Sequence, residues 1–312
     1  MKTLLALFLA LPVLAATPQE ILERTAVVLE EGFVDAARGR EIAARLREQK
    51  VAGEGRDLAV AITDAIHKIE NDGHLNVRYD PAQAGDPLVG AGEIRKQLAT
   101  PMMMRRRVPD GAVPQPKGIG EPKMLDGNIG YLKLDEFPNP FDGEAAMSAA
   151  LGKIQNADAV ILDLRENRGG AQPMVDYVAS YFLPEDHEPL LISRFRGMPE
   201  PLIARVVETP TRALENAKLY ILISDKTFSA GEAFPYILQQ FGRATVVGEK
   251  TRGGGRHNAR IPIGAGYTVS VSIATVEHPK SKTSWQGTGV IPDVATAPDA
   301  ALETAVKLAL KR

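Results

Sequence analysis

Ser229 stands in KTFSAGEAF (226–234), between an apolar run over 218–224 that reads as a strand and a run that reads as a helix. Two chemistries suit a serine there. With Glu232 three residues on, Ser229 completes a capping box, in which each side chain satisfies a free amide of the other residue, and such a cap is worth about 1 kcal/mol. Alternatively, Ser229 is a nucleophile whose target oxyanion is held by the unpaired N–H groups and dipole of the same helix start. An oxyanion site needs a second donor, and DLRENRGG (163–170), after the apolar run 159–164, offers one: Gly169 and Gly170 permit a backbone that aims amides outward. Two strand ends at one edge of an α/β sheet are where ligands bind.

A nucleophilic serine needs a base, and the chain has five histidines. His67 falls in a helical pattern, His187 in the polar loop PEDHEP, His278 at the end of a strand and His257 after the glycines 253–255. His74, in NDGHLNVRY, sits in a turn at the start of a strand. Spacing alone does not choose among them. The glycine run is not followed by the Lys-Ser/Thr pair of a phosphate loop, no His/Asp/Glu set has metal-ligand spacing, and no cofactor is expected. The net charge of −2 and pI near 6.3 exclude a global basic field for nucleic acid. Arg105, Arg106 and Arg107 are a local basic cluster only.

These residues must be placed by the elements around them. Residues 1–16 read as a signal peptide: a lysine, an apolar stretch too short to span a bilayer, then small residues. The chain contains no cysteine, so an exported form has no disulfide to make. A periplasmic or secreted protein follows, with no membrane span in the mature chain. Residues 17–79 show three helical patterns, a small three-helix bundle. Residues 80–124 are rich in Pro and Gly and read as a linker with a short helix near 92–98. From 125 to 312 strands alternate with helices, the pattern of an α/β core with crossover connections, and Gly264–Gly266 marks a hairpin.

The runs DAVILDLRENRGG, ILISDKTFSAGEAFPYILQQFGRATVVGEKTRGGG and WQGTGVIPDV resemble the C-terminal processing (tail-specific) serine protease family across most of 125–312. The three helices and the DGHL turn resemble its interphotoreceptor retinoid-binding protein-like and tricorn-core-like branches, without a PDZ domain. The resemblance implies a crotonase/ClpP-like core and a peptidase acting on unstructured peptides or exposed chain termini, with Ser229 as nucleophile. The amides of Ala230 and of Gly169 or Gly170 match the family's oxyanion donors. In the tail-specific branch a lysine serves as base, but Gly254 holds its place here. The tricorn-like branch uses a histidine, and His74 matches that position, with Gly73 where that branch has serine. Gln286 stands where the branch has an orienting glutamate, and it can accept a hydrogen bond without supplying charge. The alternative implied by the retinoid-binding branch is a non-catalytic protein for an apolar ligand.

Overall fold

The computed structural model describes residues 16–99 and 117–311. Residues 1–15 of the expected signal peptide and Arg105–Arg107 lie outside the described residues. Helix α1 (Pro18–Gly32) starts at a complete capping box between Thr17 and Glu20, with Pro18 inside the first turn. Its buried face, Ile21, Leu22, Thr25, Val28 and Leu29, recurs every three to four residues. Helix α2 (Ala36–Arg47) packs beside it, and α3 (Gly55–His67) packs against α2 and the strand that follows. None of the helices among the described residues is long and apolar enough to cross a membrane.

These helices do not close on themselves. Their buried side chains join those of β9 (Arg256–Gly264) and β10 (Tyr267–Glu277) in one apolar cluster that includes Ile261, Val269 and Val271. The joining strand is β1 (Asn76–Tyr79), which pairs antiparallel with Tyr267–Ser270 of β10. The stretch read as a linker also contributes: helix α4 (Ala91–Ala99) buries Ile94 in that cluster, and Leu88 and Val89 pack against it. Ala91 and Leu98 of α4 also pack against the cluster, one turn to either side of Ile94.

Two sheets follow. The first is antiparallel and five-stranded: β9 lies along one edge of β10, while β1 and β5 (Leu191–Phe195) share the other edge, and β6 (Leu202–Ala204) adds to β5. Strands β9 and β10 meet through the Gly264–Gly266 hairpin, and β10 bulges at Ile273. The second sheet has the order β11 (Val294–Ala295), β8 (Ala244–Gly248), β7 (Lys218–Ile223), β4 (Ala159–Asp163), β3 (Ile129–Lys133) and β2 (Lys123–Leu125). All its pairs are parallel except that of edge strand β2. Helices α5 (Pro140–Lys153), α6 (Gln172–Ala179) and α7 (Ala230–Gln240) cover one face, and α8 (Ala301–Leu310) covers the other. Strands β4 and β7 are buried on both faces, which is why they read as continuous apolar runs. Being parallel neighbours, they deliver the 164–170 and 224–229 loops to the same sheet edge.

Candidate active site

The two loops are bonded to each other. Phe228 N–H donates to the Asn167 carbonyl at 3.0 Å, and Thr227 Oγ1 donates to the Leu164 carbonyl at 2.8 Å. Asn167 is fully buried; its Nδ2 reaches the Leu134 carbonyl and its Oδ1 takes the Gly169 N–H at 2.9 Å. That last bond separates the two glycines offered by the sequence. The Gly169 amide is already engaged, whereas those of Gly170 and Ala230 donate to no group among the described residues. Ala230 is the first residue of α7, so its amide has no intrahelical acceptor. Gly169 has φ of 115°, and a Cβ added there would stand 3.0 Å from Ser229 Cβ. The turn therefore lies directly against the serine.

Ser229 has φ 56° and ψ −121°, a conformation that side chains rarely adopt. Strain of this kind costs on the order of 1–3 kcal/mol and is typical of a serine on a sharp strand-to-helix turn. The cap proves to be shared unequally. Glu232 Oε2 accepts the Ser229 N–H at 2.8 Å, whereas Ser229 Oγ makes no cap hydrogen bond and lies 2.9 Å from His74 Nε2. The contact joins residues 155 apart in sequence.

Glu232 binds more than the helix start. It is fully buried, and each carboxylate oxygen takes two donors: Thr251 Oγ1 and Gly253 N–H on Oε1, Gly254 N–H and Ser229 N–H on Oε2. Burial pushes its pKa up. Four donors, with no lone pair left to carry a proton, favour the ionised form. The 253–255 run is thus held by side-chain oxygens, the third amide, that of Gly255, going to Gln286 Oε1 at 2.8 Å.

That loop forms the wall behind His74. A Cβ added at Gly254 would lie 2.4 Å from the Phe228 ring and 3.0 Å from His74 Cε1. A lysine at 254, as in the tail-specific branch, would drive its stem into the space that the two rings fill. Gly73 is similarly confined, since an added Cβ would meet Phe228 Cζ at 3.0 Å. Phe228 packs on His74 with ring centroids 4.7 Å apart.

Gln286 does not reach His74; its side chain holds the Gly255 amide instead. The group beside His74 Nδ1 is Asp72, with Oδ1 at 3.5 Å, an electrostatic contact longer than a hydrogen bond. Nδ1 has no other partner. Asp72 is buried, and Oδ1 accepts the His74 N–H at 3.0 Å while Oδ2 accepts from Arg256 Nη1 at 2.9 Å and Ser272 Oγ at 2.6 Å. Burial alone raises the Asp72 carboxyl pKa, but the bonds from His74 and Ser272 and the nearby imidazole outweigh it and hold the group well below the usual carboxylate range. Ser272 and Arg256 belong to β10 and β9, so the antiparallel sheet fixes Asp72. The signal available in the sequence was local: an aspartate two residues before the histidine can accept its backbone N–H in an Asx turn.

Among the described residues no three His, Asp or Glu side chains are gathered as a metal ion would require. Of the other histidines, His257 lies with Nε2 2.8 Å from Ser193 Oγ, its pKa pushed down to about 4 by burial and by the charge that His74 carries when protonated. His67 binds the Leu75 carbonyl, and His187 and His278 both pack on Phe241, away from Ser229.

The fold recurs in solved structures. A candidate peptidase from Parabacteroides merdae superposes with a TM-score of 0.63 at 21% identity, over 95% of this chain and 97% of the other. The photosystem II D1 C-terminal processing protease gives 0.53 at 17% identity, over 91% and 94%. In sequence, the carboxyl-terminal-processing protease of Synechocystis sp. is 31% identical over 166 residues, which is 53% of this chain and 37% of the relative. The chain spans between 25% and 39% of the length of the curated relatives it matches. Residues 128–296, more than half of the chain, match the model of peptidase family S41, and the chain belongs to that family. Ser229, Gly169, Gly170 and Gln286 lie inside the matched stretch; Asp72 and His74 precede it.

Proposed function

We propose that this chain is an exported serine-type peptidase that hydrolyses unstructured peptides or exposed chain termini. The observation that carries the reading is the 2.9 Å contact between Ser229 Oγ and His74 Nε2, made by a serine on a strained turn at a helix start. His74 Nε2 accepts the Ser229 hydroxyl proton as Oγ attacks the scissile carbonyl carbon. The oxyanion is received by the Ala230 amide and by that of Gly170, the two left unpaired at the touching loops. Collapse of the tetrahedral intermediate passes the proton from Nε2 to the leaving amine. Water then repeats the sequence to release the acyl group.

In this scheme Asp72 is the orienting carboxylate. Held on three sides by other donors, it faces Nδ1, keeps the proton there and leaves Nε2 free to accept. Gln286 has a supporting part: it fixes Gly255 in the wall behind His74. A fluorophosphonate probe tests the scheme. Ser229 should be labelled far faster than any other serine, and Ser229→Ala should abolish both labelling and peptide cleavage; labelling no faster than that of a surface serine refutes it. Native mass spectrometry addresses the apolar-ligand alternative, which a co-purifying lipid without peptidase turnover would favour.

A further inference from the structure

The outward face of the antiparallel sheet begins at the reacting pair. Strand β1 starts two residues after His74, and Asn76 Nδ2 donates to the His74 carbonyl at 3.1 Å. Alternation along β1 places Val77 and Tyr79 toward the helices and Asn76 and Arg78 on the opposite side. Ser270 pairs with Asn76 on one side and Arg260 on the other, so these three form a row across the sheet. Asn258 faces the same way, with Nδ2 2.7 Å from Ser270 Oγ.

Arg78 and Arg260 are both exposed. Arg78 pairs with Thr268 and Arg260 with Ser270, two residues along β10 on the same face, so the two guanidinium groups are diagonal neighbours across the sheet; burial and this like charge push the Arg78 pKa below its ordinary value. Arg78 donates to Asn76 Oδ1 at 3.3 Å, and neither arginine meets a carboxylate among the described residues. Arg252, also exposed, lies 5.6 Å from the Phe228 ring that packs on His74. The only carboxylate carried by β1, β9 and β10 is Glu277, and Arg194 pairs with it at the far end of β10. Asp80, just after β1, is committed to capping the turn that follows. The surface leading away from the serine is therefore positively charged, in a protein whose net charge is −2.

We propose that this face binds acidic side chains of the peptide being cut, so that the substrates are unfolded segments with carboxylates about three to five residues from the scissile bond. The spacing follows from strand geometry: Arg78 lies four residues beyond His74, roughly 13 Å at 3.3 Å per residue, the reach of about four residues of an extended peptide. Charge complementarity selects the occupant. The proposal rests on the peptidase reading, and its test separates the two.

Three fluorogenic peptides sharing one central sequence, with Glu, Gln or Lys at those positions, are assayed against the full chain and against Arg78→Gln/Arg260→Gln. The acidic peptide should show kcat/KM about fivefold above the neutral one, the size expected of two exposed ion pairs. The preference should shrink as salt is raised. The double variant should lose it while cutting the neutral peptide normally. Equal kcat/KM for the acidic and neutral peptides, or a preference that survives in the double variant, overturns the proposal. If no peptide is cut, the peptidase reading fails, and fluorescence anisotropy decides this one: tighter binding of the acidic peptide, lost in the double variant, supports it, and equal binding refutes it.

Discussion

Replacing Asp72 by Asn keeps the size of the side chain and removes its charge, so it isolates what the carboxylate does for His74. In the wild type Oδ1 receives the His74 backbone N–H at 3.0 Å and faces Nδ1 at 3.5 Å, while Oδ2 receives Arg256 and Ser272. An asparagine has two ways to sit. If its oxygen stays toward His74, its NH2 meets the Arg256 guanidinium, donor against donor. If it flips, the NH2 faces Nδ1, which then accepts, so that the ring proton moves to Nε2 and no lone pair is left for Ser229. Either arrangement is costly. The first leaves a partly buried charge short of a partner, Arg256 retaining only Glu70 at 3.7 Å, and lowers stability by about 1–3 kcal/mol. The second resembles other triads that lose their carboxylate, where kcat falls by up to roughly 10⁴-fold. We expect kcat for a fluorogenic peptide to drop by about 10²–10⁴-fold with KM little changed, because Asp72 acts through His74 rather than on substrate. Thermal unfolding of the same preparation reports the stability part. A folded Asp72→Asn protein whose kcat stays within about threefold of the wild type would refute the assignment of Asp72 as the orienting group. Gln286→Ala is the companion measurement: it leaves the Gly255 amide short of its acceptor, and its effect on kcat should be at least tenfold smaller.

Other outcomes follow from the same geometry. Ser229→Gly removes a side chain from φ 56° and should raise the melting temperature while abolishing cleavage, as measured by calorimetry and peptide assay. Glu232→Gln places an NH2 against at least one of four donors and should cost about 2–4 kcal/mol in urea unfolding. Gly254→Ala forces a methyl into Phe228 and toward His74, so fluorophosphonate labelling of Ser229 should slow even where the protein remains folded. Asp176, on α6, has its carboxyl pKa raised to about 7 by burial, with the Gln172 amide as a side-chain donor that pulls it the other way. A carboxyl whose folded pKa is raised favours the folded state below the ordinary value near 4, and that contribution is lost as pH rises through about 7. Stability should accordingly fall between about pH 4 and 7 and level off above, and Asp176→Asn should flatten that dependence in melting curves.

What local pattern determines was legible in the chain. The parallel strands are long apolar runs because both faces are buried, Ser229 lies at a strand-to-helix junction because the apolar period changes there, and the twin glycines mark a backbone that other residues avoid. The wider reading of serine, histidine and glycine loop rested on resemblance, because nothing in spacing ties residue 74 to residue 229. Tertiary structure alone decided that pairing, since β1 must join β10 before the DGH turn can face α7. It also separated Gly169 from Gly170, through the side chain of Asn167, and it put Asp72 rather than Gln286 beside the imidazole. An aspartate two residues from a histidine looks like a turn former in any sequence. Its carboxylate becomes an orienting group only when Arg256 and Ser272, nearly two hundred positions later, fold against it and hold its charge in place.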